Sequence, residues 1–212
     1  KPEQEQQADH KRDSFYPDPK KLSLPESLKN EIHQFQTEDF AKKFFKEKRS
    51  AHRFSRKKVS VESLAEFQNT SLSEPLSHSI PKNLTKDAIT CFNCILNYTR
   101  ANKDKPKPMQ IESIIRIAQK SPPLVDELYF QLIKQTNKNP NEECLIKTWE
   151  LFVIIASIFP SSIDSECWIK SHLSREATRD DNKTVADYAQ FSYIRFSTRC
   201  TIGKPLENVL KP

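Results

Sequence analysis

The densest chemistry in the sequence is fixed positive charge. Between Lys42 and Lys58 stand Lys42, Lys43, Lys46, Lys48, Arg49, Arg53, Arg56, Lys57 and Lys58, against the single acid Glu47. Nine cations less one acid give a local charge of +8, whereas the whole chain carries +6, so the rest of the molecule sums to −2. Charge gathered in this way attracts an acidic surface, and it is the concentration rather than the total that matters. Two hydroxyls lie within reach of its chemistry: Ser55 in RFS and Ser60 in RKKVS follow basic residues, the context that basic-directed kinases accept. A phosphate adds roughly −1.5 to −2, so modification of both serines would cancel about half of the local charge.

The other reactive residue types lack the geometry that chemistry requires. Cys91 and Cys94 make a C-x-x-C, but they fall within an amphipathic helical pattern with no second pair and no histidine at ligand spacing, so they read as small buried hydrophobes. His10, His33, His52, His78 and His172 are scattered, and His172 stands five residues from Cys167, a poor separation for two ligands on one helix. Asp126 and Glu127 are adjacent and point different ways on a helix, which spoils them as an acid–base pair and suits them to the helix N-terminus after Pro123. Arg195 and Arg199 have nothing nearby that would cradle a phosphate. Glycine occurs once, at Gly203, too few for a phosphate loop, a dinucleotide fingerprint or a nucleophile elbow. The sequence therefore predicts no catalytic residue, no cofactor and no metal.

The elements that would position the basic run are helical. In TEDFAKKFFKEKR, Phe40, Ala41, Phe44 and Phe45 share one stripe and Lys42, Lys46 and Arg49 the opposite face, so the run begins as an amphipathic helix over Thr37–Arg49. The stretch SAHRFSRKKVS then reads as a basic loop before a helix over Ser60–Gln68. Another short helix is expected over Pro25–Phe35, preceded by a polar, proline-punctuated linker over residues 1–24. Thr37, Ser60 and Thr85 stand where N-cap oxygens are wanted. From Thr85 the periodicity strengthens, with helices to about Arg100, from Pro108, after Ser121–Pro122–Pro123, and over about Asn141–Phe159. In the third of these, Leu124, Leu128 and Leu132 with Val125, Tyr129 and Ile133 make the buried rows, and Asp126, Gln131 and Lys134 are expected to face outward. The helix ending at Phe159 is apolar on nearly every face and belongs at the centre of the bundle. Two more follow, one burying Ile163, Cys167, Trp168, Ile169 and Leu173, the other ending where Gly203 supplies a left-handed residue. About nine helices predict an all-α, antiparallel multi-helix bundle, a single domain over residues 25–212.

The longest apolar stretch, Leu151–Phe159, is too short to span a bilayer. Neither end carries a secretory or lipidation signal, and five cysteines without framework spacing suggest reduced thiols. These features point to a cytoplasmic protein. Its start at Lys1 rather than Met suggests a piece cut from a larger one.

The blocks LTKDAITCFNCILNYT, QIESIIRIAQKSPPLVDELYFQLIKQTNKNP and WELFVIIASIFPSSIDSECWIKSHL resemble, in order and spacing, the myosin tail homology four domain, over roughly Ser73–Pro205. The resemblance implies an all-helical, non-catalytic interaction module of unconventional myosins and some kinesins, associated with microtubules or acidic cargo peptides. The opening FAKKFFKEKRSAHRFSRKKVSVESL is similar to the branch that flanks Rho GTPase-activating domains. The expectation is thus a cytoskeleton-associated module whose nine basic residues dock on acidic protein, microtubules first. Anionic lipid read by the same lysines, or a structural spacer beside a GTPase-activating domain, are the alternatives; nucleic acid is not expected, since no zinc-finger or RNA-binding signature accompanies the lysines.

Overall fold

The structure is a computed structural model, and it describes residues 37–46, 60–100, 107–207 and 209–210. The described residues are mainly helical: α1 Thr37–Phe44, α2 Val61–Leu64, α3 Thr85–Thr99, α4 Lys107–Ala118, α5 Pro122–Thr136, α6 Glu142–Ile158, α7 Ile163–Ala177 and α8 Lys183–Ile202. They form an all-α bundle, with no strand among the described residues beyond one isolated bridge between Phe45 and Ser77. The linker expected over residues 1–24 and the helix expected over Pro25–Phe35 lie outside the described residues.

Local chemistry sets the helix ends. Asn141 and Asn182 cap α6 and α8, their side-chain oxygens accepting the N–H groups of Cys144 at 2.8 Å and Val185 at 3.0 Å. Pro122 opens α5, where a missing N–H costs nothing. Gly203 ends α8 at φ 74°, a left-handed residue that only glycine adopts freely, with its N–H on Arg199 O. Ser60 caps α2 through the Ser63 N–H. Thr85 does not cap α3: a 3-10 turn at Lys82–Leu84 runs straight into that helix, and Leu84 takes the N-cap position.

Two expected helices are shorter because the chain finds other backbone partners. The helix read as far as Arg49 stops at Phe44, since the Lys46 N–H turns away to donate to Leu76 O at 2.8 Å and His78 N–H closes on Phe44 O at 3.0 Å. The helix read as far as Gln68 stops at Leu64, because the Phe67 N–H donates instead to Asn137 O at 2.9 Å. Residues 65–80 consequently run as an irregular strap along the bundle.

Helix α6 sits at the centre as its composition requires, with Trp149, Leu151, Phe152, Ile155 and Ala156 fully buried and neighbours α8, α5 and α3 around it. Helix α5 shares that position, and here the sequence reading is corrected: every residue from Glu127 to Thr136 is buried, including Gln131 and Lys134, which periodicity had assigned to solvent. Only Asp126 of the expected outward set keeps partial exposure, and it accepts the Ser162 N–H and the Ser165 hydroxyl, both at 2.9 Å. That pair turns α7 so that Ser165, Ile169, His172 and Leu173 face inward. Ile163 (89% exposed) and Cys167 therefore lie outside rather than in the buried row expected for them.

Candidate basic interaction surface

Helix α1 is held by rings. Phe40 and Phe44 pack on Phe130 of α5 at centroid distances of 5.0 and 4.9 Å, Phe45 joins them at 6.0 Å, and Trp168 of α7 lies 6.1 Å from Phe40. Phe40, Ala41, Phe44 and Phe45 are all buried, the apolar stripe expected for them. With one side sealed in this way, Lys42 and Lys43 are turned to solvent and are exposed.

The three described cations of the run are not equivalent. Lys42 lies 4.0 Å from Asp39 with both side chains about half exposed (54% and 56%), an arrangement worth little in water. Lys43 reaches over two rings, 5.1 Å from the Phe44 centroid and 5.2 Å from that of Trp168, so part of its charge fastens α1 to α7 by cation–π attraction. Lys46 is half-buried, and its charge is among those that favour the ionised form of the buried Glu127. Lys48, Arg49, Arg53, Arg56, Lys57 and Lys58, with Ser55, lie outside the described residues; Ser60 is described and exposed.

Beneath this surface lies a polar anchor that sequence reasoning missed. The two carboxylate oxygens of Glu127 accept the N–H groups of Leu76 and Ser77, each at 2.8 Å, and Gln131 Nε2 donates to Oε1 at 2.9 Å. Burial pushes the Glu127 carboxyl above its ordinary value, while the Ser77 N–H, Gln131, the Leu76 N–H and the Lys46 charge pull it back. His78 completes the turn: its Nδ1–H donates to Phe44 O at 2.7 Å, satisfying a carbonyl at the α1 C-terminus. Two turns further along α5, Lys134 Nζ donates to Leu64 O and Glu66 O at 2.8 and 2.6 Å, and Gln135 and Asn137 take Gln68 O and Ala65 O. The available signal was the spacing of Glu127, Gln131, Lys134 and Gln135, one polar row at helical steps between two apolar ones.

The residues weighed for catalysis are occupied with structure. Cys91 and Cys94 are buried, and burial, followed by the Cys94 thiol and the Glu127 and Asp87 charges, holds the Cys91 thiol well above its usual range. His172 is buried between aromatic neighbours, parallel to Trp149 at 5.8 Å. Its Nδ1 lies 3.2 Å from the Arg175 guanidinium, a donor, so Nε2 carries the hydrogen and donates to Thr136 Oγ1 at 3.0 Å. Arg199 donates to Ser157 O and Lys204 O, and Arg195 lies over the Phe191 ring. Among the described residues no three His, Cys, Asp or Glu side chains are grouped to hold a metal, and no helix is long and apolar enough to cross a membrane.

Comparison with known proteins places this architecture. Residues 111–206 match the MyTH4 domain family model, a span that begins after the basic run. The kinesin-like protein KIN-14I of Oryza sativa subsp. japonica is 29% identical over 188 residues, which is 77% of this chain and 15% of that protein. The myosin-I heavy chain of Dictyostelium discoideum is 28% identical over 182 residues, 81% of this chain and 7% of that one. The chain thus spans a small fraction of the curated relatives it matches. Among solved structures, the myosin VII MyTH4-FERM MF1 domain of Dictyostelium discoideum superposes with a TM-score of 0.69 at 26% identity, over 85% of this chain and 36% of that one. The human myosin 7b C-terminal MyTH4-FERM domain, solved in complex with the harmonin-a PDZ3 domain, shares the fold at a TM-score of 0.62 and 21% identity, over 81% of this chain and 34% of that one. The helical order, the matched span and these neighbours agree, and residues 111–206 are identified as a MyTH4 domain by the family model.

Proposed function

We propose that this chain is a non-catalytic protein-interaction module that docks on an acidic surface, with microtubules as first choice, through the cationic face opened by Lys42, Lys43 and Lys46 and continued in sequence to Lys58. The observation that carries the reading is the two-sidedness of α1: its rings are locked into Phe130 and Trp168, which leaves its lysines on the solvent side at the head of a +8 segment. A kinesin-like protein and a myosin heavy chain among the relatives favour a cytoskeletal setting. The harmonin-bound human relative favours a protein partner.

Exposed charges act over about 8–10 Å at physiological salt, so affinity falls as salt rises. Co-sedimentation of the chain with microtubules, beside a chain in which Lys42, Lys46, Arg49, Arg56, Lys57 and Lys58 are changed to Glu, tests the reading. Pelleting of the wild type that weakens with salt and is lost in the charge-reversed chain is expected; equal pelleting of the two overturns it. Anionic vesicles run in parallel separate a membrane surface from a protein one. Phosphorylation of Ser55 and Ser60 would lower the same affinity, and a doubly Asp-substituted chain that pellets like wild type sinks that switch. The likeness of the opening segment to the Rho GTPase-activating branch favours such a domain elsewhere in the parent protein, and the parent reading frame tests that reading.

A further inference from the structure

Helix α8 lies at the edge of the bundle, packed chiefly on α6 and α7. Its buried side is Val185, Ala189, Ser192 and Phe196. The opposite side, at helical steps of three and four, carries Asp187, Phe191, Ile194, Arg195, Thr198 and Ile202. Asp187 and Thr198 are exposed, Phe191 is 37% and Ile202 52% exposed, and Ile194 and Arg195 are partly exposed. The Arg195 guanidinium lies 5.3 Å from the centre of the Phe191 ring, so cation and ring share one surface.

Single exposed apolar side chains are ordinary. What sets this row apart is its symmetry. Asp187 stands four residues before Phe191 and Arg195 four residues after it, about 6 Å of helical rise to either side. Run in the opposite direction, the same row offers its base where it had offered its acid. An antiparallel copy therefore sets acid against base at both ends and ring against ring at the centre, whereas a parallel copy would oppose like charges. Helices that cross near −50°, the commonest class, align their i±4 rows, and a two-fold axis at Phe191 then makes both ion pairs equivalent. Seven residues to either side the row is flanked by the exposed Thr184 and Thr198, too short to hold the two helices apart. A partner of one sign of charge would satisfy only one end of this surface; a second copy satisfies both.

We propose that α8 is a self-association surface on which two copies of this chain pair antiparallel about Phe191, with Asp187 of each against Arg195 of the other. A contact confined to one helix per copy falls below the roughly 1,200 Å² of standard interfaces, so the pairing is weak, with a dissociation constant of about 100 µM. It is independent of the docking reading above, and every residue it uses lies on one regular helix.

Sedimentation equilibrium of the full chain, at concentrations from about 10 µM to 1 mM, tests the pairing, with circular dichroism showing each variant folded. The wild type should rise in average mass from monomer toward dimer, and Phe191→Glu should remain a monomer. Asp187→Arg and Arg195→Asp each bring like charges together at both ends and should each weaken association at least about 10-fold. Mixed in equal amounts, these two variants regain both ion pairs in a heterodimer and should associate within about 3-fold of the wild type, a recovery that also shows both to be folded. A wild type that stays monomeric throughout overturns the proposal. So does association that survives Phe191→Glu, a charge-reversed variant that pairs like the wild type, or a mixture that associates no better than its components.

Discussion

Replacement of Glu127 by alanine should be among the most damaging single changes outside the aromatic core. The carboxylate is 1% exposed and accepts three hydrogen bonds, two of them from the strap amides of Leu76 and Ser77 at 2.8 Å. Alanine leaves both amides buried without an acceptor, at about 1–3 kcal/mol each. Removing the acid also relieves its own desolvation, the influence that raises its titration. These opposing effects leave a net loss of about 3 kcal/mol, the lower end of the cost of breaking a buried charged contact. In a chain of this size that corresponds to a fall in Tm of about 6–12 °C. Glu127→Gln keeps one acceptor but presents its NH2 to the other amide, so about half of that loss is expected. Urea unfolding at pH 7, read by tryptophan fluorescence and by far-ultraviolet circular dichroism, measures both values. A loss below about 0.5 kcal/mol for alanine, the ordinary range of surface changes, would show that the strap is held by its apolar residues and that the clasp is incidental.

Three further outcomes follow from the same packing. Trp149→Ala should cost about 3–5 kcal/mol, because the indole is fully buried and stacked on Phe152 at 5.2 Å and His172 at 5.8 Å; thermal unfolding checks it. Gly203→Ala should cost about 1 kcal/mol through its left-handed φ of 74°, with no crowding, since an added Cβ meets only Cys200 O at 4.0 Å; denaturant melts are sufficient. Burial, seconded by the Arg175 charge, holds His172 well below its usual value of 6.5, so below about pH 6.5 the unfolded chain takes up a proton that the native chain refuses. This group alone should lower stability by about 1.4 kcal/mol between pH 7.5 and 5.5, and a His172→Gln chain should lose that part of the slope. Glu127 acts in the opposite sense, because its raised carboxyl protonates in the native state first and so favours folding as pH falls toward 4.5.

Much of the bundle was legible because its punctuation is local. Pro122, Asn141, Pro160 and Gly203 each act on their own backbone, and the helices between them begin and end within a few residues of those marks. The stripe of Phe40, Ala41, Phe44 and Phe45 was equally local, and it is buried as its spacing required. What escaped was nonlocal. That Lys43 would spend charge on Trp168 depends on α1 meeting α7, and no window of sequence contains both. Helix α1 stops at Phe44 because a strap more than thirty residues later supplies Leu76 O and the His78 N–H.

The row of Glu127, Gln131, Lys134 and Gln135 shows why periodicity misassigned polar residues in α5. Hydrophobic patterning equates a polar position with water, which holds only while the neighbouring surface is apolar or absent. A strap without regular structure carries its own unpaired N–H and C=O groups, and against the core these need partners as urgently as any side chain does. To the helix beneath, such a strap resembles solvent, and it is answered by residues that would otherwise face solvent: an acid at Leu76 and Ser77, an ammonium at Leu64 and Glu66, amides at Gln68 and Ala65. The order of the side chains along α5, acceptor first and donors after, is the reverse of the order along the covering chain, which offers carbonyls at 64–68 and then amides at 76–77, so the two segments run antiparallel. Polar residues at helical steps between two apolar rows therefore mark a helix covered by irregular chain, and in this protein they mark the place where the basic segment is attached.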